Sequence, residues 1–325
     1  MRVFRSVCWM AAVGMLAAGW AGAQDKPSLV ERLGFAKDAR VLIINGDDFG
    51  MNHATNVGTL KALKAGGITS ATIMAPCPWY LEAAKMARAH PKANLGVHTT
   101  LTSEWGVYKW GPVTGWSGAP SLCDENGHFF TDVVQLYLSG NPEEVEKEIR
   151  AQVDRVLRAG VDVTHIDSHM GAMQYAPGYH ELFIKIAASY KLPARIAGRE
   201  MMDKFNAGYL IDMADEMGVL HPDELFMDDP PSIEATEAWW KDRMLQAKPG
   251  QVTELYIHCA ADEPEIFATT GSARRRIADT DFFSDPATRE WMVQQGIEKI
   301  SYRELRELQR TGKPMPRVEG YGWDD

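Results

Sequence analysis

Short apolar runs alternate with amphipathic helical segments along most of this chain, and that order narrows the folds open to it. Strand-like runs fall at residues 41–45, 70–75, 94–100, 161–167, 194–196, 252–258 and 299–301. Helical periodicity covers 52–65, 78–90, 142–159, 178–190, 203–217, 233–246 and 286–296. Repeated β/α order predicts an α/β chain with a parallel sheet, closed as a distorted or incomplete TIM-like (β/α) barrel in a single domain. The sixth strand is poorly defined near 218–227, which favours the incomplete form. No Ser/Gly-rich or Pro-rich linker and no fixed-period repeat divides the chain. In such a fold the chemistry gathers at the carboxyl ends of the strands.

The two ends read differently from the middle. Residues 1–23 carry Arg2 and Arg5, an apolar run over 7–20 and then Ala21-Gly22-Ala23, the pattern of a secretory signal peptide cleaved near Ala23. The run is too short and too abruptly ended to span a bilayer, and no second candidate span follows. The expected organisation is a leader at 1–23, a barrel domain at 24–311 and a polar tail at 312–325, exported to a periplasm or secreted. Loss of Arg2 and Arg5 takes the formal net charge from −10 to −12, a balance that argues against nucleic acid or an anionic membrane as partner. Cys77, Cys123 and Cys259 would remain, an odd and scattered set without metal-type spacing, read as structural with at most one disulfide among them. No coiled-coil heptad or other assembly signature is present, which leaves the oligomeric state open.

Three strand tips carry the chemistry. Residues 41–58 read VLIINGDDFGMNHATNVG, a β-branched run that delivers Asp47 and Asp48 to the end of a strand. Neighbouring strand residues face opposite ways, yet at a frayed end before Gly50 the two can diverge and still serve one cavity. The plainer reading is a pair of turn or cap aspartates. LGVHTTLT, ending the third strand, presents His98, a ligand or a hydrogen-bonded structural residue. In VDVTHIDSH, alternation puts His165, Asp167 and His169 on one face, poor core material unless each finds a partner. His165 and Asp167 read as ligands, or as residues behind the ligands in a network that orients His169. Together the tips offer two histidines and an aspartate from three strands, the ligand set of a hydrolytic metal site with positions left open. Such a site calls for one divalent ion. Two imidazoles favour zinc, a carboxylate and water positions admit magnesium, and manganese, cobalt or nickel also suit the set.

NGDDFG, LGVHTTLT and THIDSH, in that order and followed by PGQVTELYIH, resemble the YdjC-like (ChbG/HpnK) carbohydrate deacetylase family over residues 39–308. The resemblance implies a distorted (β/α) barrel, Asp48, His98 and His169 as metal ligands, and Asp47 as the base that activates water. It also implies His258 as the acid that protonates the leaving amine or as an oxyanion stabiliser. Arg195 falls where the family often carries an arginine near the site, and holds the base or substrate or else forms an ordinary surface ion pair. Two departures stand out: Met170, Gly171, Ala172 and Met173 replace a histidine-rich run, and Cys259 replaces a proline.

The segment 103–138 is too long for a plain connection and is rich in aromatics, among them Trp105 and Trp110. It reads as a sugar platform or as a satellite core under the loop. Trp239 and Trp240 read as helix packing, and 272–281, with Arg274 to Arg276, as a binder of an acidic substrate group or a solvated helix or loop. The expected function is removal of an acetyl group from an N-acetylated sugar or oligosaccharide. The alternatives are an O-acetyl esterase or other small-amide metallohydrolase and, from another class, an exported sugar-binding protein on the same fold.

Overall fold

The first long strand, β1 (Arg40–Phe49), is buried from Val41 onward and sits at the middle of the sheet. The computed structural model describes residues 27–316, so the leader at 1–23, its cleavage site near Ala23 and most of the 312–325 tail lie outside the described residues. The other strands are β2 (Ser70–Ile73), β3 (Leu95–Thr99), β4 (Val163–Ser168), β5 (Glu224–Phe226), β6 (Val252–His258) and β7 (Ile297–Lys299). All pairings are parallel, in the order β4-β3-β2-β1-β6-β5, with β7 pairing the start of β1. Helices surround this curled sheet, giving the incomplete (β/α) barrel that the β/α order predicts.

The weak wall lies between β4 and β5. The expected strand at 194–196 shrinks to a single bridge, Ile166 with Ala194, because Pro193 has no N–H to continue a ladder. One hydrogen bond from Ala194 N to Leu220 O (3.0 Å) carries the chain across to the next segment. The poorly defined sixth strand is the short β5. The helix expected at 203–217 is two, Arg199–Lys204 and Tyr209–Glu216, broken where Asn206 turns left-handed. The expected strand at 299–301 lies two residues earlier, at β7.

Along the barrel interior, composition grades from apolar to polar. Val41, Ile43 and Val252 meet Tyr302, Leu305 and Leu308 of the helix Tyr302–Thr311 and plug the amino-terminal end. Above them the registered pairs Ile43–Glu254, Asn45–Tyr256 and Asp47–His258 bring polar groups toward the other end. Gly96 belongs to the same design: a Cβ there would lie 2.5 Å from His165 Cε1, so only glycine leaves room for that ring. Leu42 and Ile44 face the outer cluster with the surrounding helices.

The plugging helix is also held by charge. Arg306, buried, donates to both oxygens of Asp162 (2.6 and 3.0 Å) and to Val163 O (2.8 Å), and Arg303 joins the same carboxylate. Burial works against the charged form of Asp162, but the two arginines overrule it and bring its pKa down to about 2. Asp162→Asn is therefore expected to cost about 1–2 kcal/mol near neutrality, less than a fully buried pair because the carboxylate is half exposed. A lowered carboxylate pKa contributes stability above its ordinary value of 3.8 that disappears as pH falls toward about 2. Urea unfolding from pH 7 down to pH 2 should show wild type and variant converging in acid; a constant gap contradicts this account.

The segment 103–138 folds as two short turns, Trp116–Gly118 and Pro120–Leu122, a bridge from Cys123 to Phe129 and the helix Val133–Ser139. Trp110, Leu122 and Phe129 are buried in it and join the main apolar cluster, so part of the expected platform is core. Trp240 is buried, as helix packing requires. The expectation of a solvated helix or loop at 272–281 is corrected: the helix Ala273–Ser284 buries Arg276 and Asp279. Cys77, Cys123 and Cys259 are buried free thiols. Among the described residues no helix is long and apolar enough to cross a membrane.

Candidate active site

The end of β1 breaks the strand rule that neighbours face opposite ways. Asp48 takes a left-handed backbone conformation (φ 67°), and the register with β2 shifts between Gly46 and Phe49. The local kink costs about 1 kcal/mol or more, and it turns Asp47 and Asp48 toward one cavity of about 510 Å³ at the carboxyl ends of the strands. His98, His169, Arg195, His258 and Trp105 line the same cavity.

Asp48, His98 and His169 converge within it. Asp48 Oδ1 lies 3.3 Å from His98 Nε2 and 3.4 Å from His169 Nδ1, and the two nitrogens are 3.2 Å apart. Those spacings match the edges of a tetrahedron whose ligands lie about 2.0 Å from its centre. All three side chains are buried, and Asp48 Oδ1 has no hydrogen-bond donor. The cluster draws positive charge. Burial opposes an imidazolium at His98, yet Asp167 and Asp47 hold its pKa well above the usual histidine range. His169 is raised to about 9 by Glu104 and Asp48 against the same opposition. Two imidazole nitrogens and an orphaned carboxylate oxygen at these spacings fit a divalent cation. Asp47, His98 and Asp167 also converge, but the Arg195 guanidinium already lies between those carboxylates and compensates them.

Each imidazole is oriented from behind. His98 Nδ1–H donates to Asp167 Oδ1 (2.7 Å), leaving Nε2 to face the cluster. Asp167 in turn accepts from Thr72 Oγ1 (2.8 Å). His169 Nε2–H donates to Glu104 (3.0 Å), which frees Nδ1. Asp167 thus orients His98, not His169 as the sequence suggested. His165 touches neither: it lies deeper, stacked on Tyr302 with ring centroids 3.8 Å apart. Burial and Arg195 hold it neutral, well below the usual range.

Asp47 receives both prongs of Arg195, from Nη1 (2.8 Å) and Nη2 (2.7 Å). The same guanidinium donates from Nε to Glu254 Oε1 (2.8 Å), lies 3.1 Å from Asp167, and sits over the Tyr256 ring. Arg195 is buried, so the surface-ion-pair reading fails, and the residue it holds is Asp47. Burial opposes ionisation of Asp47, but Arg195 keeps its pKa below the usual carboxylate range. Beneath it, burial lifts Glu254 to about 7 while Tyr302 O–H donates to it.

His258 closes another side, its Nε2 3.9 Å from Asp48 Oδ2. Burial and the nearby Arg276 lower its pKa to about 4, so it is neutral at pH 7. Trp105 lines the cavity, whereas Trp110 lies behind it, edge-on to both Trp105 and His169, and bonds through Nε1 to Thr102 O (2.9 Å). Trp110 is therefore a support and presents no stacking face to a ligand.

Sequence reasoning missed Glu104, Glu254 and Tyr302, and weighed Arg276 only as part of a run facing substrate or solvent, not as a partner of Asp48. Glu254 was readable, since alternation in TELYIH puts it on one face with Tyr256 and His258. Glu104 sits in an irregular loop and carried no local signal, and nothing in the run of three arginines distinguished Arg276 from its neighbours.

The YdjC-like protein family model matches residues 41–294. A carbohydrate deacetylase of Geobacillus stearothermophilus is 28% identical over 273 residues, spanning 83% of this chain and 99% of its own length. One from Enterococcus faecalis is 32% identical over 268 residues, with 81% and 97% covered. Among solved structures, a protein described as a cellobiose-phosphate cleavage protein from Enterococcus faecalis superposes with a TM-score of 0.71 at 29% identity, covering 82% of this chain and 99% of that one. A match across most of the barrel, including every strand tip that forms the cavity, means that the chain belongs to the YdjC-like family.

Proposed function

We propose that this protein is a metal-dependent carbohydrate deacetylase that hydrolyses the acetamide of an N-acetylated sugar or oligosaccharide. The observation that carries the reading is the convergence of Asp48, His98 and His169 beside an arginine-clamped Asp47 in one cavity. The relatives named carbohydrate deacetylase support the substrate class. A divalent ion held by Asp48, His98 and His169 supplies Lewis acidity, polarising an acyl oxygen and making water easier to deprotonate. Two nitrogen donors favour zinc, cobalt or nickel over magnesium on softness.

The side chains divide the remaining work. Asp47 accepts one proton of the attacking water and returns it to the departing amine nitrogen, so sugar amine and acetic acid leave, and the acid loses its remaining proton to solvent to become acetate. Arg195 holds both Asp47 oxygens and so fixes the direction in which the base points. His258 is neutral before the reaction, which favours it as an N–H donor to the developing oxyanion over a charged acid. Trp105 offers a flat apolar face to a pyranose ring. A binding protein has no need of a carboxylate base clamped beside a ligand triad, which weighs against that alternative. The reading as an exported enzyme rests on the leader-like residues 1–23, and amino-terminal sequencing of the mature protein tests it.

Acetate release from a panel of N-acetylated and O-acetylated saccharides, before and after chelation, tests the activity. Release from N-acetyl sugars that stops on chelation and returns with zinc or cobalt is the expected result. Release from O-acetyl sugars alone makes the protein an esterase, and no release with stoichiometric metal overturns the hydrolase reading for these substrates.

A further inference from the structure

Each imidazole of the ligand triad has a partner behind it, Asp167 for His98 and Glu104 for His169. Asp48 has one as well, from a distant part of the chain. Arg276 brings Nη2 to 2.8 Å from Asp48 Oδ2, an ion pair off the ideal hydrogen-bond line, while Oδ1 faces the two imidazoles. The guanidinium is otherwise held by Nε donating to Ser272 Oγ (3.0 Å) and lies over the Trp105 ring at 5.8 Å. Its helix, Ala273–Ser284, is firmly seated: Ala260 N donates to Thr280 Oγ1 (2.8 Å), Trp240 Nε1 donates to Asp279 (2.8 Å), and a Cβ on Gly67 would lie 1.5 Å from Phe283 O.

We infer that Arg276 is a positioning residue that reserves one oxygen of Asp48 for itself, so that Asp48 offers a single oxygen to the cation and a coordination position stays open for substrate. This rests on the metal-dependent reading above. A carboxylate released from such a partner is free to turn its second oxygen to a cation as well. Catalytic metal sites need an open position, whereas sites built only to hold an ion do not. A positive group beside a divalent cation also weakens its binding, so Arg276 favours turnover at the expense of metal affinity. The role is opposite in sign to those of Asp167 and Glu104, whose negative charge strengthens the hold on a cation.

The test compares the unsubstituted protein with Arg276→Met, each loaded with cobalt(II), by visible absorption, by chelator competition for metal affinity, and by kcat on an N-acetyl sugar. The expected result for the variant is weaker absorption per bound cobalt, the sign of a higher coordination number, with metal affinity kept or raised. Its kcat should fall by about 10–100-fold. Arg276→Lys, which keeps the charge without the fork, should lie between the two. Arg276→Gln takes the place of Arg276→Met if circular dichroism shows that the methionine variant is unfolded. An unchanged spectrum in a folded variant overturns the inference, whether affinity is unchanged or lost. No cobalt uptake by the unsubstituted protein overturns the metal-dependent reading itself, and this inference with it.

Discussion

Asp47→Asn is expected to lower kcat on an N-acetyl sugar by about 100- to 10,000-fold while leaving the metal content at wild-type stoichiometry, the range for loss of a general base. The separation of the two effects follows from the geometry. Asp47 makes no hydrogen bond to the Asp48, His98 and His169 cluster, and it lies 3.9 Å from His98 Nε2. Asparagine also leaves Arg195 compensated, because Glu254 Oε1 at 2.8 Å and Asp167 at 3.1 Å still face the guanidinium. Folding should survive for that reason. Metal analysis, a thermal melt and acetate release on the same preparation decide the matter: turnover above about a tenth of wild type, with metal bound, removes Asp47 from the role of base.

The largest expected loss of stability is at Arg195. Arg195→Met leaves Asp47, Asp167 and Glu254 buried together without their shared cation, and stranding a buried charge costs about 3–5 kcal/mol. The loss should depend on pH. Burial already lifts Glu254 to about 7 with Arg195 in place, and removal of the guanidinium, which lowers that value, lifts it further. A carboxyl group with a raised folded pKa adds no penalty below its unfolded value of 4.5, costs progressively more as pH rises from there to the folded value, and levels off above it. The deficit of the variant should therefore already be present at pH 5, where Asp47 loses the guanidinium that lowers its pKa, and should grow toward pH 8 as Glu254 adds its share. Denaturant unfolding at those two pH values measures it, and a deficit that shrinks with rising pH, or stays under about 1 kcal/mol at both, contradicts the proposed role as hub. Arg195→Lys should recover part of the loss, since a lysine keeps the charge but cannot reach all three carboxylates.

Some of this arrangement was legible because it obeys local rules. A β-branched run such as Val41 to Ile44 suits a buried parallel strand, and its repetition between helical segments points to a parallel sheet packed with helices. Alternation in VDVTHIDSH and TELYIH likewise marks His165, Asp167, His169 and His258 as polar groups on the faces of buried strands. Alternation alone did not reveal how deep each group sits. His165 and Asp167 share a face, yet His165 stacks on Tyr302 in the interior while Asp167 supports His98 on the neighbouring strand. Those partners lie 137 and 69 positions away in the chain.

The sequence by itself determined the class of fold, the strand tips that meet in the cavity, and the candidates Asp47, Asp48, His98 and His169 that line it, each from a short pattern of residue types, while His258 followed from the family resemblance. Only the tertiary structure decided which groups complete them. The left-handed turn at Asp48, the clamp of Arg195 on Asp47, the support of Glu104 behind His169 and the approach of Arg276 to Asp48 all join separate elements or break a local rule. The physical reason is one of range. Strand and helix periodicity are properties of neighbouring residues, whereas the compensation of a buried charge is set by whatever the closed barrel brings within about 3 Å of it.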